Sequence, residues 1–132
     1  MKIEIRYYSR SGNCKAIADA IGEVSNIKPI SVDEANASIN KEVDVLFIGG
    51  ALYAYGLDDH LTKYLKTLDK QYIKKAVIFS STWISKHSIE LIRKNLEEKG
   101  IEVVEDAFYV RGKPSSEKLN EAKAFAKKYI EG

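Results

Sequence analysis

Tyr8-Ser9-Arg10-Ser11-Gly12-Asn13-Cys14 lies between an alternating strand pattern (Ile3, Ile5, Tyr7) and a helical one (Ile17, Ala18, Ile21, Val24). A strand that runs through small hydroxyl residues and a glycine into a helix gathers backbone N–H groups and the positive end of the helix dipole at one spot. Gly12 permits the tight turn, Asn13 tolerates unusual dihedrals, and Ser9 and Ser11 add hydroxyl donors. With Cys14 and the flanking cations Arg10 and Lys15, the stretch carries more donors than one helix cap requires. It reads as an anion-binding turn. It lacks the lysine-plus-hydroxyl ending of a triphosphate loop and the three-glycine spacing of a dinucleotide fingerprint, so a phosphomonoester fits best.

Outward from this turn, strands and helices alternate to the end of the chain. Strands are expected near Lys2 to Tyr8, Ile27 to Val32, Val43 to Gly49, Lys75 to Ser81 and Ile101 to Val110. The apolar runs Val43 to Ile48 and Ala76 to Phe79 suit strands covered on both faces, which places them centrally. Leu57, Leu61, Tyr64, Leu65 and Leu68 form one helical stripe, Ile89, Ile92 and Leu96 a second, and Leu119, Ala122, Ala126, Tyr129 and Ile130 a third. Gly100 is placed to stop a helix in a left-handed cap, and Ser115 or Ser116 to start the last one. The pattern predicts a single α/β domain over residues 1–132, a three-layer doubly wound five-stranded parallel sheet. Lys2, Glu4 and Arg6 break the apolar character of the first strand. Partial exposure beside a short second strand is expected there; the other reading is a buried Glu4 and Arg6 pair.

Ligands of such a fold bind at the carboxyl ends of the strands, which singles out three segments. The first is Ser9 to Cys14. The second, Gly49-Gly50-Ala51-Leu52-Tyr53-Ala54-Tyr55-Gly56, combines glycines for close backbone approach with two tyrosines. Tyr53 and Tyr55 either pack over a helix end or wall a flat ligand, and the glycines allow a peptide to flip toward a redox ligand. The third, Ser80-Ser81-Thr82-Trp83-Ile84-Ser85, holds the only tryptophan, set among hydroxyl residues just after a buried strand, and it reads as a ring-stacking wall.

Composition narrows the classes. Lys and Arg total 21 against 19 for Asp and Glu, and no basic run is interleaved with aromatics, which argues against nucleic acid. No apolar stretch reaches membrane-helix length and the chain enters a charged strand directly, so a cytoplasmic protein with no membrane partner is expected. One cysteine and two dispersed histidines argue against a metal centre. Cys14 as a phosphatase nucleophile would need an arginine a few residues on, where the sequence has Lys15 to Ala20 instead.

Ser9, Ser11, Gly12 and Asn13 match the phosphate loop of the short-chain flavodoxins, and the chain resembles that family over essentially its whole length, with Cys14 in place of the usual final threonine. The resemblance implies strand order 2-1-3-4-5, flavin mononucleotide (FMN) as cofactor, and electron transfer with redox partner proteins, as a low-potential carrier or a small flavin-dependent reductase. It implies a cofactor site of Ser9, Arg10, Ser11, Gly12, Asn13 and Cys14; Gly50, Ala51, Leu52, Tyr53, Ala54, Tyr55 and Gly56; and Ser81, Thr82, Trp83 and Ile84. Trp83 and Tyr53 or Tyr55 would stack on the ring, and backbone near Gly50, Ala51 and Ser81 would meet its edge. No catalytic side chain is expected. A module of this fold that has lost its cofactor and binds a partner is the alternative, motivated by Cys14 and by a surface less acidic than is typical of the family.

Overall fold

Five parallel strands form one sheet in a computed structural model that describes residues 1–53, 56–83 and 85–130. In chain order the elements are β1 (Ile3–Tyr7), α1 (Asn13–Ser25), β2 (Ile30–Ser31), a 3-10 turn (Ala35–Ala37), β3 (Val43–Gly49), β4 (Leu52–Tyr53), β5 (Gly56–Leu57), α2 (Asp59–Thr67), β6 (Ile73–Thr82), α3 (His87–Glu98), β7 (Val103–Arg111) and α4 (Ser116–Ile130). The sheet runs β2-β1-β3-β6-β7, which is the expected order once β4 and β5, a separate antiparallel pair, are set aside.

Alternate residues of the central strands serve opposite layers, which is why those strands are apolar throughout. Leu46, Ile48, Ala76 and Ile78 pack with Leu61, Leu65, Ile92 and Leu96 of α2 and α3. Val45, Phe47, Val77 and Phe79 pack with Ile17, Ile21, Ala122 and Ala126 of α1 and α4. Helix ends follow the sequence: Gly100 sits at φ 76° after α3, and Ser115 Oγ accepts from Lys118 N at 3.2 Å to start α4.

Three expectations are corrected. The second strand shrinks from Ile27 to Val32 down to Ile30–Ser31 because the residues before it are committed to the end of α1. Asn26 adopts a left-handed conformation (φ 59°), Ile27 N donates back to Gly22 O at 3.2 Å, and Pro29 has no N–H for a ladder. β2 therefore pairs only with Arg6 and Tyr7, and a hollow of about 400 Å³ opens beside the start of β1, lined by Lys2, Glu4, Ile27 and Ile39 among others. Arg6 is only 3% exposed, so the expected exposure fails there. Its Nε donates to Ala37 O at 2.8 Å and its Nη1 to Glu4 Oε1 at 2.8 Å and Ile5 O at 3.1 Å, which offsets the cost of burying the charge. Leu57, expected on the second helix, belongs to β5 instead, because Asp58 caps α2 by accepting from His60 N at 2.7 Å.

The last strand spans Val103–Arg111, shifted from Ile101 to Val110, and carries a bulge. β6 advances from Ala76 to Ile78 while β7 advances from Val103 to Ala107. Arg93 of α3 serves the irregular stretch, its Nη1 donating to Val104 O at 2.9 Å and its Nη2 to Glu105 O at 3.0 Å.

Candidate functional site

The turn after β1 is built from backbone donors. Gly12 takes φ 92°, a conformation other residues adopt only with strain, and its N–H donates to Ser9 Oγ at 3.0 Å. Asn13 N donates to Ser11 Oγ at a long 3.4 Å. Gly12 stands at the N-cap of α1 without a side chain to cap it, and the first turn of α1 contains no acid. The serine oxygens thus occupy the positions that anion oxygens would take at a helix N-terminus.

Cys14 does not belong to this cradle through its thiol, contrary to the role assigned to it. The residue is 1% exposed and its Sγ points inward, 3.9 Å from Ser81 O. Burial pushes the thiol up to about 11, against a smaller downward pull from a backbone hydrogen bond with Ser81. Only its backbone N–H remains for a ligand. The sequence carried the signal: Cys14 falls three, four and seven residues before Ile17, Ala18 and Ile21, on the buried stripe of α1.

Arg10 is likewise engaged within the protein. Its Nε and Nη2 donate to Asp58 Oδ2 at 2.9 and 2.5 Å, its guanidinium lies 3.9 Å from the centre of the Tyr53 ring, and its backbone N–H donates to Tyr53 Oη at 3.2 Å. Asp58, 5% exposed, also accepts from His60 N and lies 2.8 Å from His60 Nδ1. Burial disfavours its charge, yet the bonds from His60 and Arg10 together outweigh it and hold the carboxyl below its ordinary value. His60 in turn stacks on Tyr8, with ring centres 4.8 Å apart. The first and second loops are thereby clamped together through Asp58, a residue that the sequence reading did not assign to the site. A helix-capping Asp was legible; its partner 48 positions away was not.

Two glycines of the second loop, Gly49 and Gly50, serve packing. A Cβ on Gly49 would collide with the Phe79 ring, and one on Gly50 with Leu61. Gly50 O accepts from Ser80 Oγ at 2.6 Å, and Ser80 Oγ lies 2.7 Å from Ser88 Oγ, so this carbonyl is held inward. That corrects the expectation of close ligand approach and a free peptide flip at Gly50. Gly56 has open space around its Cα. Ala54 and Tyr55 lie outside the described residues, as does Ile84 in the third loop.

In the third loop Ser81 Oγ donates to Gly112 O at 2.5 Å, and Thr82 O accepts from Gly112 N at 3.2 Å and Tyr109 Oη at 3.1 Å. Trp83 is 67% exposed, and its indole lies over Gly112, where a Cβ would overlap the six-membered ring. Gly112 also has φ 72°. It is a second residue that the sequence reading missed, and a glycine after a strand is too common a signal to have found it.

The three loops meet. A pocket of about 170 Å³ is lined by Ser11, Asn13, Ala51, Leu52, Tyr53, Ser81, Thr82 and Trp83. The larger hollow beside β1 lies elsewhere and includes none of these residues. Among the described residues there is no cluster of metal-ligating side chains and no helix long and apolar enough to cross a membrane.

Comparison with known proteins agrees with this fold. Residues 4–130 match the family model described as a flavodoxin domain. A flavodoxin from the domain Archaea superposes with a TM-score of 0.78 at 26% identity, covering 99% of this chain and 97% of that one. Oxidised flavodoxin 1 from Bacillus cereus gives 0.79 at 24% identity over 99% and 98%. Rubredoxin oxygen:oxidoreductase from Desulfovibrio gigas gives 0.81 at 16% identity, and there the chain covers 35% of a larger protein. No curated protein matches.

Proposed function

The chain belongs to the flavodoxin family, whose members bind FMN and transfer electrons, and on that premise we propose that it is a small low-potential electron carrier. The phosphate would be held by the N–H groups and hydroxyls of Ser9 to Asn13 with the Cys14 N–H, and the ring by Trp83 and Tyr53. When bound, FMN supplies the electron chemistry. The chain supplies the rest: an anion cradle at the α1 N-terminus, an aromatic rim, and loops locked in place before the ligand arrives.

The observation that carries this reading is the pocket joining Ser11 and Asn13 to Tyr53 and Trp83. A carrier is favoured over a reductase with its own substrate because the acid beside the second loop, Asp58, is committed to Arg10 and His60. The cofactor-free alternative rests on a surface less acidic than is typical of the family and on Cys14. The thiol of that residue faces the core, and its backbone N–H remains for a phosphate.

Titration of FMN into flavin-free protein tests the reading through fluorescence of Trp83, the only tryptophan. Saturable quenching is expected, with riboflavin, which lacks the phosphate, bound about a hundredfold more weakly because several charge-assisted hydrogen bonds are missing. No quenching at tens of micromolar FMN would overturn it.

A further inference from the structure

We propose that Arg10 is a positioning residue that biases the site toward the reduced form of FMN by holding its cation against the ring of Tyr53; the inference rests on the carrier reading. Arg10 stands inside the anion-binding turn, yet its side chain is committed to Asp58 and Tyr53. Its guanidinium lies 3.9 Å from the centre of the Tyr53 ring, whereas the other cations set over rings among the described residues stand 5.0 to 5.8 Å away. Two tethers fix this placement. Asp58 Oδ2 accepts from Nε and Nη2, and the backbone N–H of Arg10 donates to Tyr53 Oη at 3.2 Å, so one residue grips the phenol at its face and at its oxygen. Of the pair only Tyr53 lines the pocket. The cation therefore reaches the site through the ring and not by contact.

The consequence is electrostatic. A cation over an aromatic ring draws on its negative face and leaves the ring a poorer electron donor to whatever stacks on it. Oxidised FMN has an uncharged ring system, and uptake of two electrons and one proton leaves that ring system with one negative charge. A positive charge fixed at the aromatic wall favours the second form over the first, and a preference between two forms is by linkage a shift in their equilibrium. The Asp58 carboxylate opposes this only in part. Burial raises the Tyr53 pKa overall, but the charge of Arg10 pulls it down more strongly than the charge of Asp58 pushes it up. More than half of the Arg10 side chain is exposed, so water screens its charge. The bias is a small upward correction to a low potential.

The test is the ratio of the dissociation constants of oxidised FMN and of FMN reduced at an electrode, each measured without oxygen by quenching of Trp83. Arg10→Gln removes the charge and keeps an amide that can donate to Asp58. It is expected to weaken reduced FMN about fivefold more than oxidised FMN, which for a two-electron couple lowers the midpoint potential of the bound flavin by about 20 mV. Arg10→Lys keeps a cation without the planar fork, and is expected to weaken both forms while leaving their ratio within about twofold of the unaltered protein. Equal weakening of the two forms by Arg10→Gln would reduce Arg10 to a prop for Tyr53 and overturn the inference, as would a ratio in Arg10→Lys changed as much as in Arg10→Gln. If the unaltered protein binds neither form, the carrier reading falls and this inference with it; a ratio unmoved by Arg10→Gln with binding intact overturns the inference alone.

Discussion

On the Ser9 to Cys14 side of the pocket both cations are ion-paired, Arg10 to Asp58 and Lys15 to Asp19, and the loop is tied to its neighbour through Tyr53. On the Trp83 side the indole is two-thirds exposed with a glycine beneath it. One side is preorganised and the other is open. Preorganisation lowers the entropy cost of binding and suits a ligand that is to be kept. An exposed aromatic over a glycine suits a surface left free for contact.

The sharpest way to break this contrast is at Gly12. Gly12→Val places a β-branched residue at φ 92°, where nothing obstructs the side chain but the backbone is strained. FMN binding should fall by about a hundredfold or more while circular dichroism stays native, because the loss is of backbone donors at the helix start. Loss of fold together with binding would show that the turn is needed for folding and is not a dedicated cradle.

Next is the clamp. Asp58→Ala removes the cap of α2 and the partner of Arg10, which should cost about 1–3 kcal/mol in urea denaturation and weaken FMN about tenfold. Asp58→Asn keeps much of the cap and should cost less. Because folding lowers the Asp58 pKa, its contribution is present above the unfolded value near 3.9 and is lost as pH falls through the folded one. The unaltered protein should therefore lose more stability than Asp58→Ala on acidification below about pH 4.

On the open side effects should be smaller. Gly112→Ala forces the indole off its seat and strains φ 72°, and is expected to shift Trp83 emission and weaken FMN a few-fold. Trp83→Ala should weaken FMN about fivefold, the worth of one stacking contact, and change stability by less than about 0.5 kcal/mol since the ring is exposed. Smallest is Cys14→Ala, which should leave FMN affinity within about twofold and cost about 1 kcal/mol of stability. In the native protein the thiol should resist alkylation at pH 8, being buried with its pKa pushed up to about 11.

The contrast also separates what the sequence revealed from what it hid. Local regularities were legible: the strand-turn-helix around Gly12, the apolar runs of β3 and β6, the three loops at one end of the sheet. Long-range partnerships were not. Arg6 read as partly exposed because nothing in its neighbourhood announces Ala37 O as an acceptor 31 positions away. Gly49 and Gly50 read as ligand-facing because a glycine leaves no trace of whether Phe79, Leu61 or a cofactor fills the space beside it. The truncation of β2 was within reach, since Pro29 sits inside the expected strand and denies it a donor.

The bulge in β7 has a consequence for handling the protein. β7 is the outer strand of the sheet, nine residues long, and such an edge invites strand addition and aggregation between copies. Here its ladder is interrupted near Glu105 and Asp106, both exposed acids, while Arg93 occupies the carbonyls of Val104 and Glu105. A smooth edge is thus never offered to a neighbour, and solubility at high concentration should depend on those two acids and that arginine more than on any residue of the core.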